Sequence, residues 1–162
     1  MIATDKAFLD LTADDLMSDT VEVIPQGMAL RTAADVLARS HISGAPVVDS
    51  GGRCVGVLSA TDFVNWAREK APAPPGNPAL AGCVCSEWQV MDFQCLPNEE
   101  VRWYMTPDPV MVAPSVRITD LARMMLDAHI HRVIVVDQML RPVGIVSSTD
   151  ILAAVAYVEK PI

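Results

Sequence analysis

The sequence predicts a mixed α/β (α+β) fold assembled from two pseudo-symmetric copies of one unit. Three observations carry this expectation. Leu16–Trp66 overlays Tyr104–Ala154 without a gap, at a constant shift of 88 positions, as from Met17 to Met105. Agreement is densest between V-V-D-S-G-G-R-C-V-G-V-L-S-A-T-D (47–62) and V-V-D-Q-M-L-R-P-V-G-I-V-S-S-T-D (135–150). Within each copy, short apolar runs alternate with stretches of helical period, the pattern of a small sheet covered by helices. The chain has 162 residues and is 51% hydrophobic. That suffices for one well-cored body, whereas a unit of about 55 residues is marginal alone, so the copies are expected to pack on each other. Two copies, rather than many, suggest a pair around a two-fold axis with clefts between them.

Each copy reads as strand, helix, strand, strand, helix. In the first, Val21–Ile24 is a short strand broken by Pro25-Gln26-Gly27. Leu30–Arg39 follows with Leu30, Ala33, Ala34, Leu37 and Ala38 on one face, a helical period. Ser43-Gly44 is expected to end that helix. Ala45–Val48 is a buried strand, Asp49-Ser50-Gly51-Gly52 a turn and Cys54–Leu58 the next strand. Thr61-Asp62 opens a helix reaching about Glu69. The second copy repeats the order with strands at 110–112, 133–136 and 143–146 and helices at 118–128 and 149–157. The tight turns predict antiparallel hairpins inside a mixed sheet.

A short lead precedes each copy. Thr12-Ala13-Asp14-Asp15 has the form of a capping box, and Asn98-Glu99-Glu100 offers a capping residue followed by acids. The stretch between the copies does not repeat. It opens A-P-A-P-P-G-N-P, an extended linker composition. It goes on to C-V-C-S-E-W-Q-V-M-D-F-Q-C-L-P, where Trp88, Val90 and Phe93 suggest a docking piece. The expected division is 1–70 for the first lead and copy, 71–97 for this linker and 98–162 for the second.

Bulk properties exclude several classes. A net charge of −8 makes the chain a poor general binder of nucleic acid or of anionic membrane. A local cation with backbone N–H groups can still hold one small anion. No run approaches the ~18 apolar residues of a membrane span. The N-terminus lacks a basic stretch followed by an apolar core, so a cytoplasmic location is expected. Reduced cysteines are then the default. Cys54 reads as inert core. Cys83, Cys85 and Cys95 supply three soft ligands, short of the four that structural zinc takes, so no metal site is assigned. His129 and His131 read as helix-end residues rather than ligands. There is no P-loop, no supported Ser–His–Asp arrangement and no length for a fused catalytic domain, so no enzyme is expected.

The element order, G-A-P-V-V-D with G-V-L-S-A-T-D in the first copy, and Y-M-T-P-D-P-V, H-I-H-R-V-I-V-V-D and G-I-V-S-S-T-D-I-L in the second, resemble the cystathionine-β-synthase (CBS) domain family. Each motif alone is short, but two in register are specific. The resemblance implies a CBS pair, a Bateman module that binds adenosine-containing nucleotides in clefts between the repeats and associates as disc-like homodimers.

The junctions Gly56–Asp62 and Gly144–Asp150 both fit the family pattern of Gly, two apolar residues, a hydroxyl residue, two residues and Asp. A carboxylate suits the paired hydroxyls of a ribose, and a helix N-terminus leaves N–H groups for phosphate. The resemblance assigns ribose contact to Asp62 and Asp150, and ribose or phosphate contact to Ser59 and Ser147. Ser-x-x-Asp before an apolar helix is equally a capping box that needs no ligand, and both roles can coexist. Arg132 is the best cation for a phosphate tail. Its counterpart is Gly44, so the two sites are expected to be inequivalent. Gly44, Ala45 and Pro46 with Val133 and Ile134, aided by Val23 and Met111, would form the apolar adenine wall. Ordinary core packing is the alternative for these positions.

The function expected from this reading is a regulatory module without a required cofactor. Its ligand would be an adenine nucleotide, AMP or ATP foremost, with ADP, NAD or S-adenosylmethionine sharing the adenosyl part. It would signal through dimer geometry to an effector protein, without binding nucleic acid or membrane. The second reading is a ligand-free structural or dimerisation module acting through protein–protein contact.

Overall fold

The structure, a computed structural model, describes residues 7–70 and 96–156. The lead starts with a 3-10 turn at Phe8–Asp10 and a one-turn helix α1 (Ala13–Leu16). The first repeat follows as β1 (Ile24–Pro25), α2 (Leu30–Arg39), β2 (Gly44–Val48), β3 (Cys54–Ser59) and α3 (Ala60–Lys70). The second lead holds a 3-10 turn at Val101–Trp103 and β4 (Thr106–Pro107). Its repeat is β5 (Met111–Val112), α4 (Ile118–Ala128), β6 (Arg132–Val136), β7 (Pro142–Ser147) and α5 (Ser148–Ala156). The expected order is thus present twice.

One sheet runs β1-β2-β3-β4 and the other β5-β6-β7. In each, the first strand is parallel to the second and the second antiparallel to the third, giving mixed sheets. A register shift falls at Val47/Val48 and at the equivalent Val135/Val136. The hairpin turns also match. Asp49 Oδ1 accepts from the backbone N–H of Gly51 and Arg53, and Asp137 Oδ1 does the same for Met139 and Arg141.

Three details depart from the sequence reading. The first strand is only Ile24–Pro25, not Val21–Ile24. Pro25 is tolerated because β1 lies at a sheet edge, where its missing N–H breaks no ladder. The helix ends are not made by Ser43-Gly44, since Gly44 already belongs to β2. Instead His41 (φ 53°) and His129 (φ 54°) adopt the left-handed conformation. Ile42 N–H then bonds Leu37 O and His41 N–H bonds Ala38 O; Ile130 and His129 repeat this onto Met125 and Leu126. These are Schellman motifs with histidine where glycine is usual. Asn98 caps nothing: Glu100 precedes the Val101–Trp103 turn without a side-chain bond. The Thr12–Asp15 capping box forms as expected.

Two cores sit under the sheets, and each contains the other repeat's lead. Leu11, Ala13 and Leu16 pack with Val112, Ile118, Leu121, Val133 and Val146. Leu96 and Val101 pack with Ile24, Leu30, Ala33, Val47 and Leu58. The exchange is reciprocal in the backbone, where Ile118 N–H bonds Leu11 O and Leu30 N–H bonds Glu99 O, each at 2.8 Å. It is reciprocal in side chains too. Met105 covers Gly56, where a Cβ would stand 2.5 Å from its sulfur, and Met17 covers Gly144 more closely still. A third cluster of Cys54, Ile134 and Val136 with Val57 and Met111 joins the repeats. Cys54 N–H also bonds Leu140 O across that seam. The mirrored bond cannot form, because the residue opposite Cys54 is Pro142, which lacks an N–H.

Cys54 is buried and burial pushes its thiol pKa up, as suits an inert core residue. Cys83, Cys85, Cys95, Trp88, Val90 and Phe93 lie outside the described residues. Among the described residues no helix is long and apolar enough to cross a membrane, and no group of three His, Cys, Asp or Glu could hold a metal.

Candidate functional site

The candidate site grows from the two strand-to-helix junctions. At the first, Asp62 Oδ2 accepts from Ser59 N–H (2.7 Å) and Ser59 Oγ–H (2.8 Å). At the second, Asp150 Oδ2 accepts from Ser147 N–H (2.7 Å) and Ser147 Oγ–H (2.5 Å). The capping reading therefore holds at both, through the aspartate that reaches back to the residue before the helix. The first helical N–H is also committed: Ala60 N–H bonds Ser43 O and Ser148 N–H bonds His131 O, each at 2.9 Å. These bonds tie each helix start to the entry of its repeat's second strand.

The junctions differ in what else reaches them. Thr106 Oγ1–H donates to Asp62 Oδ1 at 2.9 Å, from the second repeat's lead. Position 18 corresponds to Thr106, yet Ser18 meets Ile145 through its backbone only. Arg132, at the start of β6, sends its Nη1–H to Ser43 Oγ at 2.7 Å, across the repeats. Since Ser43 holds Ala60, this places a guanidinium beside the Ser59–Asp62 junction. Among the described residues no carboxylate pairs with Arg132 or neutralises its charge. Gly44, the counterpart of Arg132, sends nothing to the second junction. A Cβ there would meet Leu58 O at 3.0 Å and Ser59 Cα at 3.2 Å, so close strand pairing explains the glycine. Ser147 carries a further contact, its Oγ lying 2.8 Å from Thr149 Oγ1.

The expected wall residues divide by face, as strand alternation requires. Ala45 and Val133 are buried in the cores of their own repeats. Ile134 and Met111 lie in the cluster between the repeats. Pro46, fully buried, occupies the position equivalent to Ile134 and pairs with Val57 of that cluster. Val23 lies outside β1 and is exposed. Sequence reasoning missed Thr106 and Ser43. The Thr-Pro after Met105 was a usable signal, but only the fold shows that this lead lies against the other repeat. Chemically, the arrangement offers paired hydroxyls and carboxylates at two helix starts, one of them beside a cation.

The family model described as "CBS domain" matches residues 13–69 and 99–157. Among curated proteins, the chain is 26% identical over 157 residues to the CBS domain-containing protein CBSX2, chloroplastic, of Arabidopsis thaliana. That match covers 92% of this chain and 65% of the relative, so the chain spans about two thirds of that protein's length. The solved structure of CBSX2 in complex with AMP superposes with a TM-score of 0.69 at 23% identity, covering 92% of this chain and 98% of that one. The CBS domain pair of protein MJ0100, in complex with 5'-methylthioadenosine and S-adenosyl-L-methionine, gives 0.68 at 20% identity, with 90% and 96% covered. The cytosolic domain of the Mg2+ channel MgtE in complex with ATP gives 0.64 at 26% identity, covering 88% of this chain and 48% of that one.

Proposed function

The chain belongs to the CBS domain family, and from that premise we propose that it is a regulatory module binding an adenosine-containing nucleotide between its two repeats. The observation that carries this reading is Arg132, which reaches from the second repeat to Ser43, whose carbonyl holds Ala60 N–H at the start of the first junction's helix, with no carboxylate partner among the described residues. An unneutralised guanidinium beside a hydroxyl–carboxylate pair suits the phosphate and ribose of one ligand. That solved structures similar to this chain carry AMP, ATP or S-adenosyl-L-methionine supports the ligand class. AMP and ATP are favoured here because Arg132 matches a phosphate. Ligand contacts from both repeats would favour one arrangement of the pair over another, which is how binding could be read out. In this reading the chain acts in the cytoplasm as a homodimer, needs no resident cofactor and passes its state to an effector protein.

A ligand-free dimerisation module is the second reading. It is favoured by one feature: each aspartate already closes its own cap, and Ala60 and Ser148 already spend their N–H groups on Ser43 and His131.

Calorimetric titration of AMP, ATP, NAD and S-adenosylmethionine into nucleotide-free protein separates the two. Saturable binding of AMP or ATP, weakened about tenfold or more in Arg132→Ala, supports the sensor. Flat titrations of folded protein with all four ligands support the scaffold.

A further inference from the structure

We propose that the two hairpin tips form a docking edge for an acidic, apolar-bearing segment of a partner protein, gripped by Arg53 and Arg141 and by the exposed Met139 and Leu140. The edge is distinct from the junctions and stands whether or not a nucleotide binds there. β2 and β3 pair from Gly44 opposite Ser59, at the junction end, to Val48 opposite Cys54, at the hairpin end. β6 and β7 likewise run from Arg132 opposite Ser147 to Val136 opposite Pro142. Four strand steps, roughly 13 Å, thus separate the two ends.

Leu140 carries the first observation. Its backbone is left-handed (φ 60°), as is that of its counterpart Gly52 (φ 78°). This geometry penalises any Cβ, and glycine is the residue that avoids the penalty. Packing does not offset the strain at Leu140. Its side chain is 46% exposed, its neighbour Met139 is 60% exposed, and neither belongs to a core cluster. Strain kept at an exposed apolar tip marks contact with another surface.

Charge carries the second. Arg53 and Arg141 occupy equivalent positions in the two repeats, and both lie over the first hairpin's tip. A Cβ at Gly51 would stand 3.6 Å from Arg53 Nε, and one at Gly52 3.9 Å from Arg141 Nε. Arg141 reaches there from the other repeat, whose tip is held against the first by the Cys54 N–H bond to Leu140 O at 2.9 Å. Asp49 makes only a long ion pair, 3.9 Å from Arg53 Nε, and no carboxylate among the described residues pairs with Arg141. Asp49 and Asp137 each direct Oδ1 to two backbone N–H groups of their own turns. Two guanidinium forks beside two glycines suit carboxylates, and the apolar tip suits an aliphatic side chain between them. The net charge of −8 opposes an acidic partner at a distance, so the attraction is local, acting within about 8 Å at physiological salt.

The test follows backbone amide signals of the isotope-labelled full chain by NMR. The probes are the peptide acetyl-Glu-Leu-Glu-Glu-Leu-Glu-amide and the same peptide with Lys for Glu. Saturable shifts at Gly51, Gly52, Met139 and Arg141 are expected with the first peptide only, while Ser59 and Ser147 stay in place. Combining Arg53→Ala with Arg141→Ala should weaken binding about tenfold or more. Leu140→Gly should weaken it too while the melting temperature holds or rises, which separates docking from packing. No shifts at millimolar peptide, equal shifts with the Lys peptide, or shifts centred on Arg132 would overturn the proposal. So would a Leu140→Gly protein that melts lower and binds as the parent does, since Leu140 would then be a packing residue. A parent dimer that dissociates in the arginine or Leu140 variants, read by sedimentation, would make the occupant a second copy and overturn it as well. None of these results decides the nucleotide titrations, so each reading can fail alone.

Discussion

At the scale of single residues, two ionisable groups report on local structure. The backbone N–H of Arg53 donates to Asp49 and, against the opposing desolvation and with help from Gly51 N–H and the Arg53 charge, holds its carboxyl below the ordinary value of 3.8. A carboxyl depressed by folding stabilises the fold above its unfolded pKa, and that contribution disappears as pH falls through the folded value. Asp49→Asn is therefore expected to be less stable than the parent at neutral pH, with the gap closing below about pH 4 in urea midpoints. Tyr104 behaves oppositely. Desolvation, and then the hydrogen bond its hydroxyl gives Glu99, push its pKa up to about 12. The stabilisation from its neutral form is complete below the ordinary value of 10.0 and is lost as pH rises through the folded one. In a Tyr157→Phe background, tyrosinate absorbance should thus rise near pH 12; a midpoint near 10 would show that desolvation and the Glu99 hydrogen bond do not hold the hydroxyl protonated.

At the scale of elements, the helices and hairpins were largely legible. Leu30–Arg39 and Ile118–Ala128 form at the bounds that apolar period indicates. Their ends were not legible, because the left-handed residue is histidine and the rule of glycine pointed three residues past His41, to Gly44. Replacing His129 by Gly removes the Cβ penalty of a positive φ and is expected to raise stability by up to about 1 kcal/mol, read by chemical unfolding. The glycines that matter lie elsewhere. Gly56 and Gly144 are identical between repeats because each carries a methionine of the opposite lead on its face. Gly144→Ala should cost about 1–3 kcal/mol through overpacking against Met17, and Met17→Ala in the same chain should recover part of it. Additive effects of the two substitutions would show that the contact does not carry the cost.

At the scale of the whole molecule, the repeat was visible from identity alone, and with it the mixed sheets and paired junctions. The exchange of leads was not visible. Nothing in the local pattern of Leu11, Ala13 and Leu16 says which repeat they cover, since both repeats present nearly the same surface. For the same reason the sequence pointed to Ser59, Asp62, Ser147, Asp150 and Arg132 but missed Thr106, whose role depends on which lead lies where. Removing residues 1–17 should therefore destabilise the second repeat rather than the first, seen as loss of amide protection in β6 and β7 before β2 and β3. In the proposed function an adenine nucleotide sits between the repeats at these junctions. A crystal structure of the chain grown with saturating AMP tests it most directly. The account predicts the ribose within hydrogen-bonding distance of an aspartate at a junction, Asp62 or Asp150. Empty clefts at saturating AMP, or AMP bound away from both junctions, would contradict it.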